Sequence, residues 1–210
     1  MKSLPTANDL KIDILSWIIA QLSADEVLAS ELRFLDGERR ADLVVISKNR
    51  LTAIEVKGPR DNLNTLKTQI IDYQKMFLDV YVATSAKHLQ NVRALVPKTV
   101  GLINASSGRI DIIRQSTPKK NLEKSSSAQW LLKNDFNGLH NALSTSRKDD
   151  IDHLRHVISR KTGQRELQQL ALATIFNRAL TRHNGFIKEL GQTMTLDDVR
   201  MLTIEENIKF

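Results

Sequence analysis

Hydrophobic and polar positions change period repeatedly along the chain, and each change marks a change of structure. Leu15, Ile18, Ile19 and Leu22 recur at helical spacing behind Thr6 or Asn8 as a cap, which predicts a first helix over about residues 9–22. The pattern then shortens to apolar runs rich in Val and Ile: Val27–Leu35, Arg39–Ile46 and Leu51–Gly58. Polar turns at Asp36-Gly37-Glu38 and Ser47-Lys48-Asn49-Arg50 separate them, so the three runs predict an antiparallel meander. Helical period returns after Pro59, where Asp61 is the expected cap and Leu63, Leu66, Ile70, Tyr73 and Phe77 form one face. A strand at Val80–Ala83, a helix from Ser85 to Leu95 and strands at Val100–Ile103 and Ile110–Ile113 complete the series. The order β-β-β-α-β-α-β-β predicts an α/β fold, a mixed β-sheet flanked by helices, over residues 1–116.

Residues 117–127 shift to Lys, Ser and Pro and read as a linker. Beyond them helical spacing covers about 128–143, 149–160 and 164–182, with a short piece after Thr195. Leu167, Leu170, Leu172, Ile175, Phe176 and Leu180 make the third segment strongly apolar on one side, and a C-terminal helical subdomain over 128–210 that rests on the sheet is expected.

The strands carry charges where a core is expected. Side chains alternate along a strand, so Asp42, Val44 and Ile46 should share a face, as should Ala53, Glu55 and Lys57, and likewise Val27, Ala29, Glu31 and Arg33. Unpaired charge is costly to bury, so the arrangement asks for a metal ion, mutual pairing or a ligand. Glu31, Asp42 and Glu55 can converge, and Gln69 and Tyr73, one helical turn apart, can both face the same sheet edge. Carboxylates converging with a lysine form a minimal site for a hard cation such as Mg²⁺ or Mn²⁺, with Asp42 and Glu55 as ligands. A metal there would acidify its water and neutralise charge on a phosphate, with Lys57 positioned to assist.

Composition narrows the classes. The chain has 210 residues, 41% hydrophobic and 26% charged, enough for one full core and a smaller second one. It has no cysteine, which excludes disulfides, thiolate metal sites and cysteine nucleophiles and fits a cytoplasmic location. The run Ile14–Leu22 is too short to span a bilayer, so no membrane association is expected. The net charge of +7 is spread over both halves, 16 basic against 13 acidic residues in 1–118 and 15 against 11 in 119–210. Such a surface permits nucleic acid without specifying it.

Further charged residues and histidines stand outside the group of carboxylates and lysine. Arg39 and Arg40 are placed either to bind phosphate or to pair with Glu31 and Glu38. His153 and His156 stand near Asp149, Asp150 and Asp152, where a solvated helix face outweighs a second metal site. Arg155, Arg160, Lys161 and Arg165 form a basic cluster that reads as charged surface before it reads as a nucleic-acid contact. His88, His140 and His183 stand alone.

Arg40-x-Asp42, Glu55-x-Lys57 on the next strand and Gln69-x-x-x-Tyr73 on the following helix resemble the PD-(D/E)XK nucleases, in particular the RecB-like branch with its QxxxY helix. The likeness spans roughly residues 8–85, although Arg40-Ala41-Asp42 carries no proline before the aspartate. It implies a restriction-endonuclease-like core and Mg²⁺- or Mn²⁺-dependent hydrolysis of phosphodiesters, in DNA before RNA. Carried over residue by residue, Asp42, Glu55, the Val56 carbonyl and Glu31 would hold metal, and Lys57 would be the catalytic lysine. Gln69 and Tyr73 would orient substrate or nucleophile, with Arg40 and Arg60 as further substrate contacts. The other reading is an inactive nuclease-fold module that binds DNA, or docks a second copy or another protein through 128–210.

Overall fold

A computed structural model describes residues 5–106 and 108–204. Helix α1 (Ala7–Ile19) precedes strands β1 (Val27–Phe34), β2 (Arg39–Ile46) and β3 (Leu51–Lys57). Helices α2 (Leu66–Met76) and α3 (Ala86–Leu95) alternate with β4 (Asp79–Thr84) and β5 (Gly101–Ser106), and β6 (Arg109–Arg114) ends the sheet. The six strands lie in sequence order. The first three are antiparallel, β3, β4 and β5 are parallel, and β6 turns back antiparallel to β5. This is the expected mixed sheet flanked by helices, with β3 buried along its whole length near the centre.

Two cores cover the two sheet faces. On one, Val44, Ala53, Val80, Val82 and Leu102 meet Leu66, Ile70 and Tyr73 of α2, Phe77 just after it and Val92 of α3. On the other, Leu43, Ile54, Val56, Ala83 and Ile103 meet Leu10, Ile14, Leu15 and Ile18 of α1. α1 starts at a capping box between Thr6 and Asp9. Its first residue is pressed against the strand exit, since a β-carbon on Gly58 would lie 2.7 Å from the Ala7 nitrogen.

Side-chain alternation breaks at one point. Val27 and Ala29 join the first core and Leu28 the second, yet beyond Glu31 it is Leu32 and Phe34 that join the first. β2 changes in step, because Ala41, paired with Leu32, lies in the first core although Leu43 lies in the second. The expected face shared by Val27, Ala29, Glu31 and Arg33 is therefore corrected. The cause is a positive φ of 51° at Glu31, a left-handed residue inside a strand, which turns the following residues over.

The C-terminal helices are α4 (Lys124–Gln129), α5 (His140–Leu143), α6 (Ile151–Lys161), α7 (Gln164–Glu189) and α8 (Leu196–Met201), with a 3₁₀ turn at Lys133–Phe136. The single helix expected over 128–143 is thus split into short pieces around Gly138. Leu131, Phe136, Leu154, Ile158 and Leu167 close a small core of their own. The rest of the segment shares the sheet's cores: Trp130, Ala171, Leu172, Ile175 and Ala179 join the first, Phe186, Val199 and Leu202 the second. The stretch 117–127, expected as a linker, is fixed in place; Lys119 N–H donates to the Leu78 carbonyl, and Leu122 is fully buried with its N–H on Gln168. Residues 205–210, the end of the expected subdomain, lie outside the described residues.

α7 and the segment after α8 seal the β1 edge, which would otherwise offer unpaired amides to another strand. Leu28 N–H donates to His183 Nδ1 at 3.3 Å, and Ser30 N–H to the Leu202 carbonyl at 3.1 Å. At the opposite edge β6 carries Arg109, Asp111 and Arg114. Among the described residues, no helix is long and apolar enough to cross a membrane.

His183 stands alone in the sequence but not in the fold. Burial holds its imidazole below the usual histidine range. Its neutral form accepts from Leu28, and the unfolded chain binds the proton more readily, so the contribution is present above pH ~6.5 and is lost as pH falls below it. Chemical denaturation at pH 7.5 and 5.5 should show the wild type losing more stability on acidification than His183→Ala. At pH 7.5 that variant should be weaker by about 1–3 kcal/mol, the cost of an unpaired buried amide.

Candidate functional site

The site grows out of the point where β2 and β3 part. Their ladder pairs Leu43 with Ile54, and in the next position Asp42 Oδ2 takes the Val56 N–H at 2.7 Å. The side chain thereby replaces a backbone acceptor and is held at the strand end. Glu55, one residue before, turns to the first core, where it is only 4% exposed. Glu55 Oε1 pairs with Lys57 Nζ at 2.6 Å, and Oε2 accepts from the Tyr73 hydroxyl. That hydroxyl also lies 3.0 Å from the Arg40 carbonyl. The Tyr73 ring is anchored edge-on against Phe34, with centroids 5.1 Å apart, so α2 delivers a fixed donor to the carboxylate.

The left-handed residue in β1 brings the third carboxylate. Glu31 Oε2 pairs with Arg40 Nε at 2.6 Å and Oε1 with Lys11 Nζ at 2.5 Å. Lys11, from α1, also reaches Asp42 Oδ1 at 2.7 Å. Three carboxylates therefore meet three cations, and each of the six carboxylate oxygens has a partner.

Electrostatics follow from this layout. Burial first, and the charge of Asp42 second, push the Glu55 carboxyl above the ordinary glutamate range, while Lys57 and Tyr73 pull against them. Burial and the neighbouring Glu55 and Asp42 charges drive the Tyr73 phenol well above its usual value, so it stays a donor. At Lys11 burial alone would lower the ammonium, but Asp42 and Glu31 outweigh it and hold it above the lysine norm.

Of the residues singled out from sequence, Glu31, Asp42, Glu55, Val56, Lys57, Tyr73 and Arg40 come together. Gln69 lies one turn before Tyr73 on α2, and its Oε1 is buried with no hydrogen-bond partner. Arg60 is exposed in the loop after β3, outside the network. Asp61, expected as the α2 cap, instead accepts from the Gly58 N–H at 2.8 Å, and α2 begins later, at Leu66. Arg39 pairs with Asp72 of α2 at 2.9 Å. His153 and His156 are exposed, as a solvated face requires. Arg155 is a correction to the basic surface cluster: it is buried, pairs with Asp36 at 2.7 Å and donates to the carbonyls of Leu131 and Gln129.

Lys11 is the site residue missed from sequence. The signal was present, because Lys11, Ile14, Leu15 and Ile18 follow the i, i+3, i+4, i+7 pattern, which puts a lysine on the buried stripe. Above the network opens a cleft of about 310 Å³ lined by Asn8, Lys11, Ser30, Glu31, Arg40 and Arg200, with Leu196 and Val199 of α8 as its apolar wall. A second cleft of about 270 Å³, between α1 and the far strands, is lined by Trp17, Ile54, Tyr81, Ile112 and others and shares no residue with the network.

For a hard divalent cation the donor chemistry fits: Asp42, Glu55 and Glu31 supply carboxylate oxygens. Those oxygens already bond to protein cations and donors, and among the described residues no three acidic, histidine or cysteine side chains form a ready metal cluster.

With fold and site in hand, comparison with known proteins places the chain. Residues 1–203 match the family described as bacteriophage P4 protein cII, and the chain belongs to that family. Protein cII of Enterobacteria phage P4 is 25% identical over 211 residues, covering 97% of this chain and 80% of that protein. A solved structure, the SPO1766 protein of unknown function from Silicibacter pomeroyi, is 19% identical and covers 60% of this chain and 80% of its own, with a TM-score of 0.45.

Tyr73→Phe should cost about 1–3 kcal/mol in urea unfolding, because it removes one of the two partners of a buried carboxylate while keeping the ring. A loss as small as that of an exposed Tyr→Phe change would mean that the Tyr73–Glu55 bond contributes nothing.

Proposed function

We propose that the chain is a metal-dependent phosphodiesterase of the PD-(D/E)XK type that acts on nucleic acid, DNA in the first instance. The observation that carries this reading is the meeting of Asp42, Glu55 and Lys57 at the parting of β2 and β3, with Glu31 beside them and Tyr73 on α2. In this reading Asp42 and Glu55 hold Mg²⁺ or Mn²⁺, with Glu31 and the Val56 carbonyl able to contribute. The metal would supply an acidified water and neutralise charge on the phosphate. Lys57, 9% exposed, would hold that water or donate to a phosphate oxygen. Gln69, with its unpartnered buried oxygen, would orient substrate or nucleophile. Arg40, whose side chain is 60% exposed at the cleft, and Arg60 would contact phosphates. The net charge of +7 supports an anionic partner.

One observation favours a second reading, a nucleic-acid-binding module without catalysis: the carboxylates are fully compensated by the chain's own cations. A cleavage assay separates the two. Purified protein incubated with plasmid, linear and single-stranded DNA should cut at least one of them only with Mg²⁺ or Mn²⁺, and EDTA should stop it. Asp42→Asn and Lys57→Met should each lower the rate at least about 100-fold, the scale of losing a charge-stabilising or proton-transferring group. DNA binding with no cleavage under any metal would select the module.

A further inference from the structure

Lys11 is anomalous. An ammonium from the first helix, with a side chain only 12% exposed, bridges two carboxylates on adjacent strands, at 2.5 Å from Glu31 and 2.7 Å from Asp42. Its position is tightly determined. Leu10, Ile14, Leu15 and Ile18 are buried against the sheet and fix the rotation of α1. The backbone approach of Ala7 to Gly58 fixes its distance from the end of β3. Glu31 on β1 and Asp42 on β2 share this one ammonium, so without a cation between them two like charges would be left close together on neighbouring strands.

A cation between oxygen donors is what a divalent metal would also be. With Lys11, Lys57 and Arg40 in place the three carboxylates are already neutralised, and adding a 2+ ion would overcharge a largely buried cluster. One of the protein's cations must then leave. Among the described residues Lys57 pairs with Glu55 alone, and Arg40 pairs with Glu31 through Oε2 alone. Lys11 is the one of the three that touches Asp42, and it lines the cleft into which its ammonium could swing.

We infer that Lys11 is a built-in lock on the site: its ammonium holds the place between Glu31 and Asp42, and a divalent cation binds Asp42 only by displacing it. The inference rests on the metal-binding reading of the site. It makes α1 an autoinhibitory element, and it makes the metal-free protein a closed state, not a decayed site.

Calorimetric titration with Mn²⁺ alone, without nucleic acid, tests it. Lys11→Met should bind Mn²⁺ at least about tenfold more tightly than the wild type, since a unit charge a few ångströms from the ion is removed. Adding Asp42→Asn should abolish the gain, and Lys11→Arg, which keeps the charge, should bind no better than the wild type. Equal affinity in wild type and Lys11→Met would overturn the lock while leaving the metal reading intact. No Mn²⁺ binding in any form would overturn both. A measurement on the wild type covers the case in which Lys11→Met does not fold. Acetylation of Lys11 by an amine-reactive reagent, mapped by mass spectrometry, should rise several-fold with Mn²⁺, and an unchanged yield at a saturating Mn²⁺ concentration would overturn the proposal.

Discussion

The constraint on which the rest of the structure depends is the neutralisation of three carboxylates at the end of a buried sheet. Glu55 stands on a strand with no exposed residue, Asp42 on β2 beside it and Glu31 on β1, one strand further out. Left unpaired, each would cost several kcal/mol to desolvate. The fold answers from three directions: Lys57 from the same strand, Tyr73 from α2 on one face and Lys11 from α1 on the other. Helices on both faces are thus tied to the same few oxygens as well as to the two apolar cores.

This arrangement explains several features that otherwise look unrelated. The left-handed backbone at Glu31 carries a strain of about 1–3 kcal/mol, and it brings that carboxylate to Lys11 and Arg40. The same turn-over sends Leu32 and Phe34 into the first core, where Phe34 becomes the surface on which Tyr73 rests. The long α7 and the chain after α8 then hold the kinked edge strand through His183 and Leu202. A strand bent for a site is thereby protected from fraying and from pairing with another chain.

The sheet was legible in the sequence because period-2 alternation and turn residues are local signals, and the convergence of Asp42, Glu55 and Lys57 followed from counting along adjacent strands. The turn-over at Glu31 was not, since a positive φ at a residue other than glycine leaves no mark in composition. Asp61 looked like a helix cap because aspartate caps both helices and turns; the Gly58 N–H claims it. Leu122 was hidden in a polar stretch where one apolar residue anchors the whole segment. Lys11 lies 31 positions from Asp42, and only the docking of α1 brings them together. His183 and Arg155 became structural for the same reason, through contacts distant in sequence.

On the proposed reading, this cluster is a cation site held closed by its own lysine. Anomalous diffraction from crystals grown with and without Mn²⁺ tests it most directly. A single Mn²⁺ peak bounded by Asp42 and Glu55, with the Lys11 ammonium withdrawn from Asp42, is the predicted result. No peak at these carboxylates, or a peak there with Lys11 still bridging Glu31 and Asp42, would contradict it.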